Sequence, residues 1–221
     1  MSRLACRVGV WQSTGAFFPL EYAMRHLFVA PLLASLIAPA SAANLLVNGG
    51  FESPTGVGYE IVMGGSNRIT GWTTVDHGVE WFNATGWGGA ADGVMVVDLA
   101  NYTYTGGGIQ QSFATVVGQR YDLDFSLSTM AGFGRDGTAH FDVSVNGQEF
   151  DYDLVNLGTQ MHWEQHSLSF VATAATTTLR FANLQNPFLH FANVDGVSVQ
   201  VSAVPEPATG ASLMAGLGVL A

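Results

Sequence analysis

The stretch Arg120–Ser128, RYDLDFSLS, alternates polar and apolar side chains without interruption. Successive side chains of a β-strand point to opposite faces, so Tyr121, Leu123, Phe125 and Leu127 would share one face and the aspartates and serines the other. This pattern predicts a strand with one buried and one solvent-facing side, as in antiparallel sheets.

A second alternating region, HFDVSVNGQEFDYDL at residues 140–154, contains Asn146-Gly147 between its two halves. This dipeptide between alternating runs is the strongest short hairpin signal, and it predicts a β-hairpin. Further strands are predicted at 79–82, 94–99, 108–113, 162–172, 177–184 and 193–201, separated by glycine clusters. Because helical periodicity is nearly absent, the sequence predicts an all-β fold, an antiparallel jelly-roll β-sandwich in a single domain.

Residues 24–42, MRHLFVAPLLASLIAPASA, have a basic flank, a short apolar run and an Ala-Ser-Ala end. This order is typical of a secretory signal peptide and is too short for a membrane span, so we expect cleavage after Ala42. Met24 stands where an initiator is expected, so residues 1–23 are interpreted as a mis-assigned start, with a genuine extension as the alternative. Residues 43–202 then form the exported domain.

The expected exported domain is strongly acidic. Its basic residues are four arginines, at positions 68, 120, 135 and 180, and the chain contains no lysine. The domain holds fifteen carboxylates, which gives a formal charge of −11. A nucleic-acid partner is excluded because phosphate binding needs a basic face. The sole cysteine, Cys6, precedes the signal, so the domain must rely on its core rather than on disulfides.

Four segments in order carry a family resemblance: NLLVNGGFESP from residue 44, ITGWTTVDHGVEW from 69, AADGVMVVDLA from 90, and GGIQQSFATVVGQRYDLDFSLS from 107. The chain resembles the galactose-binding-like β-sandwiches from about Asn44 to Val201. It is most similar to the choice-of-anchor C family of bacterial secreted proteins and its plant cell-wall relatives.

The last segment, residues 203–221, reads AVPEPATGASLMAGLGVLA and resembles a PEP-CTERM sorting signal. In that family the motif precedes a membrane-length helix and an arginine cluster, and an exosortase cuts it. Here the apolar part, Ala208–Ala221, has fourteen residues, whereas a span needs about 20. We therefore expect an incomplete sorting segment, with transient membrane association only if the tail is longer.

The resemblance also implies a structural calcium ion. In the carbohydrate-binding relatives with an NGxFE start, the ion is held by that glutamate and by an aspartate before the last strand. The matching positions are Glu52 and Asp195, and carboxylate oxygens suit Ca²⁺. The alternative is that Glu52 caps a turn and Asp195 is a solvated residue at a strand edge.

Aromatic residues in loops and at strand ends are candidate sugar contacts: Trp87, Trp163, Tyr102 and Tyr104. Trp87 is favoured because its glycine-rich neighbours cannot bury it locally. Strand parity places Trp163 on the polar face of its strand, unless a bulge reverses the parity. Core packing is the alternative for all the aromatics, and we assign Trp72 and Trp81 to the core because each lies among strand formers.

Enzymatic motifs are weak. There is no Gly-x-Ser-x-Gly elbow and no exported cysteine, while Glu80 with Asp92 or Asp98 is the residual candidate for a glycosidase pair. The spacing of His162, Glu164 and His166 favours a polar strand edge over a zinc site.

The sequence therefore predicts an exported, non-enzymatic protein of the bacterial cell surface or extracellular matrix that binds polysaccharide. The alternatives are a structural surface protein without glycan affinity and a polysaccharide-active hydrolase.

Overall fold

The computed structural model describes residues 43–101, 106–183, 185–186 and 188–203. These ranges carry eleven strands: β1 Tyr59–Val62, β2 Thr73–Asp76, β3 Val79–Asn83, β4 Met95–Asp98, β5 Gly107–Ala114, β6 Arg120–Thr129, β7 Ala139–Val145, β8 Gln148–Leu154, β9 His162–Val171, β10 Thr176–Asn183 and β11 Asn193–Val201. None of the described residues forms a helix of the length and apolarity that a bilayer crossing requires. The predicted signal peptide, and the sorting segment from residue 204 onward, lie outside the described ranges.

The strands form two antiparallel sheets. One sheet has the order β1-β3-β4-β11-β6-β9, and the other has the order β2-β5-β10-β7-β8. From β4 to β11 the chain changes sheet at every connection except the β7–β8 hairpin, which is the alternation of a jelly roll. The prediction of an all-β antiparallel sandwich is confirmed.

The segments with the clearest alternation fold as predicted. In β6 the four apolar side chains from Tyr121 to Leu127 are all buried. The β7–β8 hairpin turns at Asn146 and Gly147, both with positive φ, as a two-residue hairpin loop requires. The sequence did not predict β1 and β2, which are four-residue strands at the edges of the two sheets.

Aromatic side chains fill the space between the sheets. Phe125 of the six-stranded sheet has its ring centroid 5.3 Å from that of Phe181 and 5.4 Å from that of Tyr152, both in the opposite sheet. Trp72 and Trp81 are fully buried, and each indole N–H donates to a main-chain carbonyl. Their assignment to the core is confirmed.

The start of the described chain runs beside the last strand. The amide of Leu45 donates to the carbonyl of Val199 at 2.8 Å, and the amide of Val199 donates to Oδ1 of Asn44 at 2.9 Å. Further along, the amide of Val197 donates to the carbonyl of Gly49. These bonds hold the NGGFE segment against β11, about 150 residues later in the chain.

The outer face of the six-stranded sheet carries the polar side of β9. The pairing of β9 with β6 is continuous from His162 to Val171, without a bulge. Trp163 therefore shares this outer face with Ser167 and Ser169, as strand parity predicts. The loops around residues 84–94 and 130–138 cover the part of this face near Trp163.

Candidate functional site

A cavity of about 220 Å³ opens on the outer face of the six-stranded sheet. It is lined by Tyr59, Glu80, Phe82, Trp87, Met130, Phe133 and Phe191, and we call these seven residues the aromatic cleft. Three rings at its rim are exposed: Tyr59 at 57%, Trp87 at 37% and Phe133 at 69%. The other four residues are buried and form the floor.

Three of the rings form one continuous wall. The ring centroids of Trp87 and Phe133 lie 5.7 Å apart at 56°, and those of Phe133 and Phe191 lie 6.3 Å apart at 71°. Tilted and edge-on arrangements at these distances are the favourable geometries for aromatic pairs. The wall therefore presents apolar ring surface to solvent while its base is packed into the protein.

A row of buried polar side chains runs beneath the cleft. Glu80, Asp98, Asn193 and Ser128 are successive partners on β3, β4, β11 and β6, so all four point to the same outer face. Each is no more than 5% exposed. Burying this many polar groups side by side costs folding free energy unless they are paired. The row is therefore a specialised feature of the sheet.

Asp98 is the centre of this row. Its Oδ1 accepts a hydrogen bond from the amide of Ala192 at 2.9 Å, and its Oδ2 lies 3.8 Å from Nη1 of Arg135. The Arg135 guanidinium is itself buried and lies 4.3 Å from the centroid of the Phe191 ring. Arg135 thus joins the carboxylate below the cleft to an aromatic ring of its floor.

Burial and the negative charge of Glu80 together raise the pKa of Asp98 to about 7, against the opposing effects of the hydrogen bond from Ala192 and the charge of Arg135. At the rim, burial and the neighbouring Glu80 carboxylate, which accepts the tyrosine hydroxyl, raise the pKa of Tyr59 to about 12. Burial is the larger cause of both shifts, and the negative charge of Glu80 adds to each of them.

Two hydrogen bonds fix one side of the loop that carries Trp87. We call residues 84–94 the tryptophan loop. The amide of Met161 donates to the carbonyl of Trp87 at 2.8 Å, and the indole N–H of Trp163 donates to the carbonyl of Gly89 at 2.9 Å. Trp163 is half-buried and is not among the residues that line the cleft. Its hydrogen bond to Gly89 supports the loop from behind.

Two carboxylates fix the other side of the loop. Oε1 of Glu52 accepts the amides of Val94 at 2.7 Å and Met95 at 2.6 Å. Oδ2 of Asp195 accepts the amides of Ala91 and Asp92, each at 2.8 Å. Burial raises the pKa of Asp195 to about 7 despite these bonds. The structure therefore brings the two predicted calcium ligands to one loop.

The donor chemistry of Glu52 and Asp195 is compatible with calcium. An ionised carboxylate offers about four acceptor positions, and the hydrogen bonds to the loop occupy two on Glu52 and three on Asp195, whose Oδ1 also accepts the amide of Gly196. Within the described ranges, no group of three or more His, Cys, Asp or Glu side chains could hold a metal ion. Further oxygen ligands would come from backbone carbonyls, amide or hydroxyl side chains, or water, and calcium stays a prediction.

The sequence also proposes Tyr102 and Tyr104 as sugar contacts and weighs His162, Glu164 and His166 as a zinc site. Tyr102 and Tyr104 lie outside the described residues. The ring of His166 stacks on Phe125 at 5.7 Å, and its Nε2 is 4.0 Å from Oε2 of Glu164. Burial lowers the pKa of His166, as expected for an imidazole that packs against the core.

Sequence reasoning missed Phe133, Tyr59 and Phe191 as members of the cleft. Phe133 lies between Gly132 and Gly134, which is the same local feature that singled out Trp87, so this residue could have been found. Tyr59 and Phe191 reach the cleft only through the pairing of β1 and the path of the chain into β11. No local signal marks either of them.

The fold is similar to several solved carbohydrate-binding modules at low sequence identity. A family 35 carbohydrate-binding module from Clostridium thermocellum shares 17% identity at a TM-score of 0.42, over 66% of this chain and 100% of the module. TmCBM61, solved in complex with β-1,4-galactotriose, shares 14% identity at a TM-score of 0.45, over 73% of this chain and 100% of that one. CBM35 from Paenibacillus barcinonensis shares 19% identity at a TM-score of 0.39, over 60% of this chain and 94% of that one. The fold assignment rests on the strand pairing described above.

Residues 44–189 match a family model described as a protein of unknown function, DUF642. The matched range includes the NGGFE segment, the tryptophan loop and most of the cleft. No curated protein matches the chain.

Proposed function

The chain belongs to the DUF642 family of proteins of unknown function, and from that premise we propose that it binds carbohydrate, without catalysis, in the aromatic cleft. The observation that supports this proposal best is the pair of exposed rings of Trp87 and Phe133, in contact at 5.7 Å above a buried carboxylate. Flat apolar rings pack against the C–H face of a pyranose, while a carboxylate accepts its hydroxyl hydrogens.

The size of the cleft and its rigid loop suit such a ligand. Pockets for drug-sized molecules measure roughly 300–1,000 Å³, so a cavity of 220 Å³ suits a short part of a longer sugar chain. Hydrogen bonds hold the tryptophan loop on both sides, at Gly89 and at Val94. Binding therefore requires little ordering of the loop, and this preorganisation supports affinity in a small site.

The carboxylates near the cleft support binding rather than hydrolysis. Glu80 and Asp98 are directly opposite each other on β3 and β4, but Asp98 is fully buried and bonded to Ala192. A glycosidase needs both carboxyl groups within reach of the scissile bond. Asp98 cannot reach a sugar in the cleft, and Asp92, the other candidate partner, is not among the residues that line it, so the pair lacks its second member.

The test is a binding screen with soluble and insoluble polysaccharides, followed by affinity measurement on the tightest ligand. Trp87→Ala is expected to lower affinity at least tenfold, since stacking of the sugar ring on the indole is lost. Phe188→Ala is the matched control, because Phe188 is 53% exposed but does not line the cleft. The absence of binding to every polysaccharide tested, or equal losses in both variants, would rule the proposal out.

We also propose that the protein is exported and acts at the bacterial surface or in an extracellular polysaccharide matrix. This proposal is supported by the signal-peptide pattern of residues 24–42 and by the PEP-CTERM-like pattern of residues 203–221. Mass spectrometry of the exported protein should find Ala43 as its first residue. Deleting the exosortase of the producing bacterium should change the mass of the C-terminal peptide, and an unchanged peptide would contradict processing.

A further inference from the structure

The charge of the aromatic cleft restricts its ligand. Among the described residues that line it, Glu80 is the only charged one, and five of the seven are aromatic. Five rings line the same cavity as the carboxylate: Phe82 and Phe191 are buried with it on the floor, and the three exposed rings form the rim. The lining therefore combines one negative group with several electron-rich ring faces.

The nearest arginine does not reverse this polarity. Arg135 is only 2% exposed, and its Nη1 lies 3.8 Å from the Asp98 carboxylate. Its guanidinium lies over the ring of Phe191, 4.3 Å from the centroid. A ligand in the cleft would meet the Glu80 carboxylate and the Phe191 ring rather than this cation.

Ring faces and a carboxylate together recognise one class of functional group. The quadrupole of an aromatic ring attracts a cation placed over its face, and rings arranged as a cage bind primary and quaternary ammonium groups. A carboxylate on the floor adds direct charge pairing in a partly desolvated site. A uronic acid would instead place its carboxylate against Glu80, and the acidic domain would repel it.

We propose that the saccharide bound in the cleft carries an ammonium group, and that Glu80 with the rings of Trp87 and Phe133 receives it. This inference rests on the proposed carbohydrate-binding function and names the substrate class for the same site. The ammonium could be the free amine of an amino sugar or the quaternary group of a choline-substituted sugar. The chemistry is shared, and the experiment separates the two sources.

The test compares matched oligosaccharides by calorimetry at a pH where the amine is protonated. Oligomers of glucosamine are expected to bind at least tenfold more tightly than oligomers of N-acetylglucosamine, and oligogalacturonate is expected to bind most weakly. Choline chloride is the second arm. If choline displaces a polysaccharide that glucosamine oligomers do not displace, the source is the quaternary ammonium, which also supports the proposal.

Two variants locate the selectivity. Glu80→Gln should abolish the preference for the amine while the acetylated oligomer still binds, and Phe133→Leu should reduce the preference several-fold by removing an exposed ring. Glu149→Gln, on exposed β8 of the other sheet, is the control and should leave the preference unchanged. Because Phe133 is 69% exposed, its variant keeps the test valid if Glu80→Gln does not fold.

The outcomes distinguish this inference from the proposed function. Equal affinity for free and acetylated oligomers, with no effect of choline, would overturn the ammonium inference and leave carbohydrate binding intact. Tighter binding of oligogalacturonate would overturn it as well. If no saccharide of any charge binds, the proposed function itself fails.

Discussion

The indole nitrogen of Trp163 lies 2.9 Å from the carbonyl oxygen of Gly89, two residues beyond Trp87. This bond connects β9 to the tryptophan loop across 74 positions of sequence. Trp163 is the second tryptophan that the sequence proposes as a sugar contact, but in the structure it supports the loop that presents the first one. A residue of this kind should affect binding without touching the ligand.

Trp163→Phe should therefore weaken saccharide binding several-fold. The substitution keeps most of the apolar packing and removes the hydrogen bond, which is worth about 0.5–1.5 kcal/mol. Hydrogen exchange should become faster in the tryptophan loop and stay unchanged in β6. Gln165→Ala, two residues along the same face, is the control. Unaltered exchange in the loop would show that the bond does not position Trp87.

Gly49→Ala should destabilise the fold by about 1–3 kcal/mol, the usual cost of overpacking. A Cβ at this position would collide with the carbonyl oxygen of Val197, so the N-terminal segment would have to move away from β11. Thermal or urea unfolding measures the loss. Gly58→Ala is the matched control, because a Cβ there meets no atom within 4 Å and its φ is not in the left-handed region. Equal stabilities of the two variants would contradict the packing argument.

The parts of the fold that could be predicted from sequence are those in which the signal is local. The alternation of β6 and the Asn146-Gly147 turn each depend on a few adjacent residues, and both are correct. The glycines around Trp87 similarly indicated an exposed ring. In these cases the residues that determine the local structure lie within the same short segment as the structure itself.

The polar row beneath the cleft could not be predicted, because it depends on register. Glu80, Asp98, Ser128 and Asn193 become neighbours only after four strands have paired in one particular alignment. A shift of one residue in any strand would point its side chain to the other face. The roles of Glu52 and Asp195 are similar, since both bind amides of a loop that lies far from each of them in the chain.

If calcium binds at Glu52 and Asp195, adding Ca²⁺ to chelator-treated protein should raise its melting temperature. A ligand at 100 times its Kd stabilises the folded state by about 2.7 kcal/mol. Glu52→Gln should lose this shift, although its amide oxygen can still accept the bonds from Val94 and Met95. Glu149→Gln should retain the full shift. A wild-type protein that melts at the same temperature with Ca²⁺ and with chelator would remove the calcium prediction.

The buried carboxylate of Asp98 should make the protein less stable as the pH rises. Its pKa is about 7 in the folded state against 3.8 ordinarily, so between these values the folded state holds a proton that the unfolded state has released. The free energy of unfolding therefore falls as pH rises through this window, and the loss is complete above the folded pKa. Below about pH 4 both states are protonated, so the contribution is fully present and no longer changes with pH.

Asp98→Asn should reduce this pH dependence. Asparagine keeps an oxygen for the Ala192 amide and cannot ionise beside Glu80, so the decrease in unfolding free energy between about pH 5 and 8 should be smaller than in the wild type by on the order of 2–3 kcal/mol. Part of the decrease should remain, because the pKa of Asp195 is also raised to about 7. Urea unfolding at both pH values measures the difference, with the exposed Asp151→Asn as control. If Asp98→Asn and Asp151→Asn show the same pH dependence as the wild type, Asp98 does not titrate in this window, and its charge must be fixed by Arg135.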